Sequence, residues 1–273
     1  MTGPWGWRHT RRSHRTLLDT QGGDCKKPHQ LAGWEQGRSC SSCECTIFVR
    51  WWLTQVFTQN FWPRLIDHLY LRIQGQPYDG DELSFSSHEH DNIIFDQNQI
   101  YEHKTIRFRS TTYNVRRMEE SAKPHTHADI MVLSHEDNVE AFLYWHARII
   151  RIYHLMVCER TEGEAGLSPP SRMDVLLVRW LGFNSPDGQS SWRARQLHKV
   201  SFLPDTDEHR PAFGFLDPNQ VLQMVHLIPD FSAIRTKLLL TGDSIAIKSP
   251  HPDGEFPFYY ITIYVPKFWL NTV

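Results

Sequence analysis

The stretch EAFLYWHARIIRIYHLMV, residues 140–157, decides the fold class. It holds neither Gly nor Pro, is rich in aromatic and β-branched residues, and lies between the turn clusters SHEDN and TEGEAGLSPPS, which marks a strand. Segments of the same texture surround it: IIF from Ile93, KTIRFRSTTYNV from Lys104, DIMVLS from Asp129 and MDVLLVRWLGF from Met173. Such segments at short spacing, without long helices between them, predict an antiparallel sheet or a small barrel rather than alternating β/α units. Near the end of the chain, Ile261, Ile263 and Val265 alternate with Tyr260, Thr262 and Tyr264, the period of a half-buried strand.

Two segments carry helical signals. In NFWPRLIDHLYLRIQG, Phe61, Leu65, Ile66, Leu69 and Ile73 form an apolar stripe at helical spacing. Asn60 stands at the N-cap, Pro63 in the first turn and Gly75 just past the end. In LDPNQVLQMVHLIP, Asp217 as cap, Pro218 at the first position and inward Val221, Leu222 and Val225 predict a short helix limited by Pro229. The predicted class is therefore α+β, mostly β, with a few flanking helices. Residues 1–57 lack strand or helix periodicity and predict a disordered leader. A helix-plus-strand segment follows over 58–123, and a β-rich module with the short helix and the last strand over 124–273.

Bulk properties narrow the function. Apolar residues make up 40% and charged residues 22% of 273, the balance of a folded chain. With 29 Lys plus Arg against 31 Asp plus Glu there is no global field to attract nucleic acid, so any basic footprint is local. Arg107, Arg109, Arg116 and Arg117 supply one in IRFRSTTYNVRR, either as a phosphate-facing strand or as a solvated edge guarded by charge. The N-terminus lacks an apolar signal region, and no run reaches the roughly 20 apolar residues of a membrane span. Five cysteines, an odd number, suggest reduced thiols and an intracellular setting with no membrane partner.

Metal and catalytic motifs are incomplete. Cys40, Cys43 and Cys45 make a C-x-x-C-x-C cluster, but no second spaced pair follows. In PHTHADIMVL, His125, His127 and Asp129 have the H-x-H-x-D spacing that opens some two-zinc hydrolase sites. Here the motif precedes a strand instead of following one, and Ile130 stands where the next histidine belongs. The competing reading is a turn in which His127 and Asp129 bond the backbone and launch the strand. There is no G-x-S-x-G, phosphate loop or dinucleotide fingerprint. The expectation is a protein without cofactor or catalytic residues.

From Asp129 to Phe183 the chain resembles the bromo-adjacent homology pattern, in which D-x-V-x-V precedes Y-x-A-R-I-x-x-I and then V-x-V-x-W-F. Asp129, Val132, Tyr144, Ala147, Arg148, Ile149, Ile152, Val178, Arg179 and Trp180 carry the match. Leu181 replaces the final aromatic, and the R-P-x-x-T tail is absent after Gly182. A longer stretch, about residues 58–266, resembles uncharacterised fungal proteins found beside or fused to Plavaka-type transposon sequences. Those usually read N-P-R-T-H where Lys123-Pro124-His125-Thr126-His127 stands here.

The first resemblance implies a β-rich barrel that presents aromatic residues to a partner peptide, commonly a histone peptide on chromatin in the nucleus. Tyr144, Trp145 and Trp180 then become candidates for an aromatic cage around a methylated ammonium. The functional expectation is a non-enzymatic, chromatin- or transposon-associated interaction module. The alternatives are a nucleic-acid-binding accessory fragment of a mobile element and, more distantly, a metal-dependent hydrolase.

Overall fold

A computed structural model describes residues 15–18, 29–30, 61–76, 85–111, 117–124, 126–134, 144–160, 166–183, 197–205, 211–240, 246 and 253–263. In chain order the strands are β1 (Arg15–Leu18), β2 (His29–Gln30), β3 (Ile93–His103), β4 (Ile106–Thr111), β5 (Arg117–Ala122) and β6 (Asp129–Leu133). They continue with β7 (Tyr144–Glu159), β8 (Ser171–Phe183), β9 (Lys199–Phe202), β10 (Phe213–Leu216), β11 (Val221–Pro229) and β12 (Tyr259–Ile263). Helices α1 (Phe61–Ile73) and α2 (Ser87–His90) and one 3-10 turn, Pro218–Gln220, complete the described elements. The mostly-β, α+β expectation holds, and every strand pair is antiparallel.

Residues 140–157 supply most of β7, the strand on which the rest is organised. β6 pairs with β7, β7 with β8, β8 with β9, β9 with β12, β12 with β11, and β11 returns to β6. Six strands therefore close into a ring, which leaves none of its members with an open edge over the paired residues. β7 and β8 outrun this ring, and their far halves pair outward with β3 and β10. A separate three-stranded sheet in the order β1-β4-β5 lies alongside.

The alternation of strand side chains divides the core among three places. Met131, Leu181, Val200, Phe202, Val225, Tyr259 and Ile261 fill the ring. On the outer face of β6-β7-β8, Ile130, Val132, Ala147, Ile149, Val178 and Trp180 pack against Ile106, Phe108 and Ala122 of the smaller sheet. Where β7 and β8 leave the ring, Leu155, Val157, Val175 and Leu177 meet Phe61, Leu65 and Leu69 of α1. The helix forms as its stripe predicts, and Gly75, at φ 70°, follows its end. Arg72 in its last turn anchors it, with Nε 3.0 Å from Asp217 Oδ2 and Nη1 donating to the Asp174 carbonyl at 2.6 Å.

Three expectations need correction. LDPNQVLQMVHLIP is not a helix: Asp217 does cap a turn, accepting from Asn219 N at 2.9 Å, but the chain then enters β11. A register shift between Val221 and Gln223 explains the misleading pattern. One extra residue in a strand sets same-face residues three apart, as in a helix, so Val221 and Met224 face outward together while Leu222 and Val225 face the ring. Polar RMEESA, outside every segment that the sequence marks as a strand, is β5, held by pairing along the whole of β4. The leader also carries β1 and β2, whose pairing to β4 and β3 its composition does not signal. A second shift, between Ile149 and Arg151 in β7, moves the chain from the ring interior to the α1 side.

Ile152 is fully buried on β7, whereas Tyr144 on the same strand is 40% exposed. Ile152→Ala is predicted to cost about 2–5 kcal/mol of unfolding free energy. Tyr144→Ala is predicted to cost about 0.5 kcal/mol or less. Urea unfolding of both variants checks this, and equal losses would contradict the assignment of faces.

Candidate functional site

Strand pairing places three charged residues in one row across the ring. Asp129 of β6 stands opposite Arg148 of β7, and Arg148 stands opposite Arg179 of β8. All three belong to the inward-facing set, so the two guanidiniums are brought side by side, Arg179 fully buried and Arg148 and Asp129 each 14% exposed. Like charges directly opposite one another repel, and each here has its own carboxylate. Arg148 Nε donates to Asp129 Oδ1 at 2.6 Å and Nη2 to Asp129 Oδ2 at 3.2 Å, a two-pronged pair. Arg179 Nη1 donates to Glu255 Oε2 at 2.8 Å.

The Phe202 ring is shared by both cations, with Arg179 Cζ at 4.1 Å and Arg148 Cζ at 4.8 Å from its centroid. Arg179 is 0% exposed, and among the described residues its Nε and Nη2 make no hydrogen bond, so the Phe202 ring face is what they meet there. Burial opposes the charge on both arginines. For Arg148 the Asp129 carboxylate outweighs burial and raises the pKa, whereas for Arg179 burial prevails over Glu255 and lowers it. Nearby, buried His146 is pushed down to about 4, first by burial and then by His198, and is therefore neutral near pH 7.

Glu255 comes from the connection between β11 and β12, which crosses this end of the ring. Thr236 and Glu255 form a two-way backbone bridge, Thr236 N to Glu255 O at 2.8 Å and Glu255 N to Thr236 O at 2.9 Å. Gly254 permits that approach: its φ is 90°, and a Cβ there would lie 2.1 Å from the Thr236 carbonyl oxygen. Lys199 Nζ, 2.8 Å from Asp230 Oδ2, ties the start of the same connection to β9. Hydrogen bonds from Lys199 and Ser232 hold the Asp230 carboxyl down at about 2. On this cap Phe231, Ile234 and Leu238 are 75%, 90% and 84% exposed, large apolar side chains that the fold leaves in water.

The residues singled out in the sequence are distributed unevenly. Trp145 and Trp180 meet edge to face, centroids 6.0 Å apart, and both belong to the outer face of β7 and β8. Tyr144, one residue from Trp145, points to the opposite face, so these three rings do not converge on one point. Asp129 is engaged by Arg148 instead of the backbone turn expected of it. His127 does close a turn, its carbonyl accepting Lys123 N at 2.7 Å, and its ring lies against His226 at 5.4 Å.

Arg107 and Arg109 both bond Glu119 of β5, at 3.1 and 2.7 Å, which neutralises part of the basic strand. Cys40, Cys43, Cys45, His125 and Arg116, and the Arg117 side chain, lie outside the described residues. Among the described residues no three His, Cys, Asp or Glu side chains form a ready metal cluster. No helix among them is long and apolar enough to cross a membrane.

The paired layer is not legible as a site in the sequence, where Asp129 fits a metal-ligand spacing and Arg148 a family pattern. The signal was present: charged residues inside otherwise apolar strands, DIMVL, YWHARII and LLVRWL. Gly254→Ala is predicted to lower the melting temperature by several degrees and to speed amide exchange at Thr236 and Glu255. Exchange mass spectrometry is the check, and a variant as protected as the parent would contradict the role given to this glycine.

No family model matches the chain, and no curated protein or solved structure matches it either.

Proposed function

We propose that the chain is a non-enzymatic interaction module that binds a protein partner through the cap beneath its barrel. The observation that carries this reading is the exposure of Phe231, Ile234 and Leu238 within eight residues of one connection. Grouped apolar side chains in water mark interaction surfaces more often than chance exposure does. Arg235 stands among them, its Cζ 4.2 Å from the Phe256 centroid, which gives the surface the mixture of aromatic and arginine contacts that binding sites favour.

The resemblance to bromo-adjacent homology domains supplies the partner class. The partner is a chromatin protein, a histone in the first instance, or a component of a transposon-derived complex, and the setting is the nucleus. Nucleic-acid binding through β4 ranks below this because Arg107 and Arg109 share Glu119.

The test uses the full chain as bait in nuclease-treated nuclear extract, beside the triple variant Phe231→Ser, Ile234→Ser, Leu238→Ser. Exposed positions tolerate such changes, so the variant keeps its stability to within about 1 kcal/mol. Histone recovery that survives nuclease and falls at least about tenfold in the variant is the expected result. Recovery that vanishes with nuclease, or that ignores the variant, overturns the proposal.

A further inference from the structure

The cap carries a charge pattern as well as exposed apolar side chains. Its start is fixed where Lys199 Nζ meets Asp230 Oδ2 at 2.8 Å, while Asp230 Oδ1 accepts from Ser232 N at 3.1 Å and from Ser232 Oγ at 2.5 Å. Farther on, the backbone bridge between Thr236 and Glu255 holds the chain, and Thr236 Oγ1 accepts from Leu238 N at 3.1 Å. Phe231 stands edge to face against Phe256, centroids 5.4 Å apart, and the Arg235 guanidinium lies over that same Phe256 ring. Phe231, Ile234 and Leu238 are therefore presented from a backbone tied down on both sides of them, which lowers the ordering cost of binding.

The charges among these side chains do not balance. Asp230 is committed to Lys199, and Glu255 to Arg179 Nη1 at 2.8 Å. Asp253, exposed beside Gly254, is not free either. On the positive side, Arg235 Nη1 donates to the Gly254 carbonyl at 3.1 Å, and Lys237 is exposed between Thr236 and Leu238. Among the described residues neither Arg235 nor Lys237 forms an ion pair, so both cations stand unmatched beside the apolar group. A complementary partner brings carboxylates next to apolar side chains, whereas a basic one sets like charges against Arg235 and Lys237.

We propose that the cap docks a short acidic amphipathic peptide segment, with its apolar side chains on Phe231, Ile234 and Leu238 and its carboxylates on Arg235 and Lys237. The inference rests on the reading of the cap as a protein-binding surface and adds the chemistry of the segment it takes. Arg235, oriented by the Phe256 ring and the Gly254 carbonyl, offers a carboxylate a planar fork, and Lys237 offers a point charge. Apolar contact supplies most of the affinity, and the sign of the charge selects the partner. Of a chromatin or transposon-complex protein, the part that docks is then an acidic stretch and not a basic tail.

Fluorescence anisotropy with the full chain tests this against three labelled peptides. One mixes Leu and Phe with Glu and Asp, one keeps the same apolar residues with Lys at every acidic position, and one is polyglutamate of equal length. The first is expected to bind at least about tenfold more tightly than the other two and to weaken as salt rises to physiological strength. Lys237→Glu is expected to weaken it by about threefold or more, and the double variant Arg235→Glu, Lys237→Glu to erase the preference for acid over Lys. Should the double variant fail to fold, Lys237→Glu, at an exposed position, decides. Phosphatidylserine vesicles are not expected to pellet the chain. No binding of the first peptide, equal binding of the Lys peptide, tightest binding of polyglutamate, pelleting with vesicles, or an affinity unchanged in Lys237→Glu overturns the inference. The triple serine variant separates the two claims. Peptide binding that survives it removes the cap as the binding surface, whereas binding that is lost with it but indifferent to charge leaves the cap in place and overturns the acidic partner alone.

Discussion

Two arginines opposite each other inside a closed β-ring are the constraint around which the structure is arranged. Arg148 and Arg179 are placed there by strand register, and register is fixed by the apolar alternation of β7 and β8. Removing two guanidiniums from water is costly unless each is paired. Asp129 answers for Arg148 from the neighbouring strand. Arg179 is answered from far along the sequence, by Glu255, and that requirement draws the β11–β12 connection across the end of the ring. The cap that exposes Phe231, Ile234 and Leu238 is thus held by the same electrostatic demand that organises the interior.

The arrangement also accounts for the fate of the H-x-H-x-D motif. Both Asp129 carboxylate oxygens accept from Arg148, so a metal at the motif would compete with that ion pair for them. His127 remains in the turn before β6, with its ring beside His226. The motif spacing survives as geometry, a turn leading into a strand, with its acid committed to the barrel.

Much of the fold was legible in the sequence, and the failures share a physical cause. The long strands β7 and β8 announce themselves because each is apolar on both faces, one buried in the ring or under α1 and the other under the smaller sheet. Helix α1 is legible from its stripe. β11 is not, because its bulge gives a strand the three-residue spacing of a helix. β5 is missed because RMEESA owes its conformation to β4 and not to its own residues, a case of tertiary pairing overriding propensity. The site is less legible than the fold. Motif spacing judges Asp129 by its immediate neighbours in sequence. Its ion pair with Arg148 is made by cross-strand register.

The central claim is that Asp129 and Arg148 are coupled inside the ring, and a double-mutant cycle measures that coupling directly. Asp129→Leu and Arg148→Met each leave a buried charge alone and are predicted to cost about 3–5 kcal/mol of unfolding free energy. The double variant, which buries no unpaired charge at these positions, is predicted to recover at least about 2 kcal/mol of the summed loss. Losses that add without coupling would show that the two side chains do not depend on each other, and the account of the barrel interior would fail.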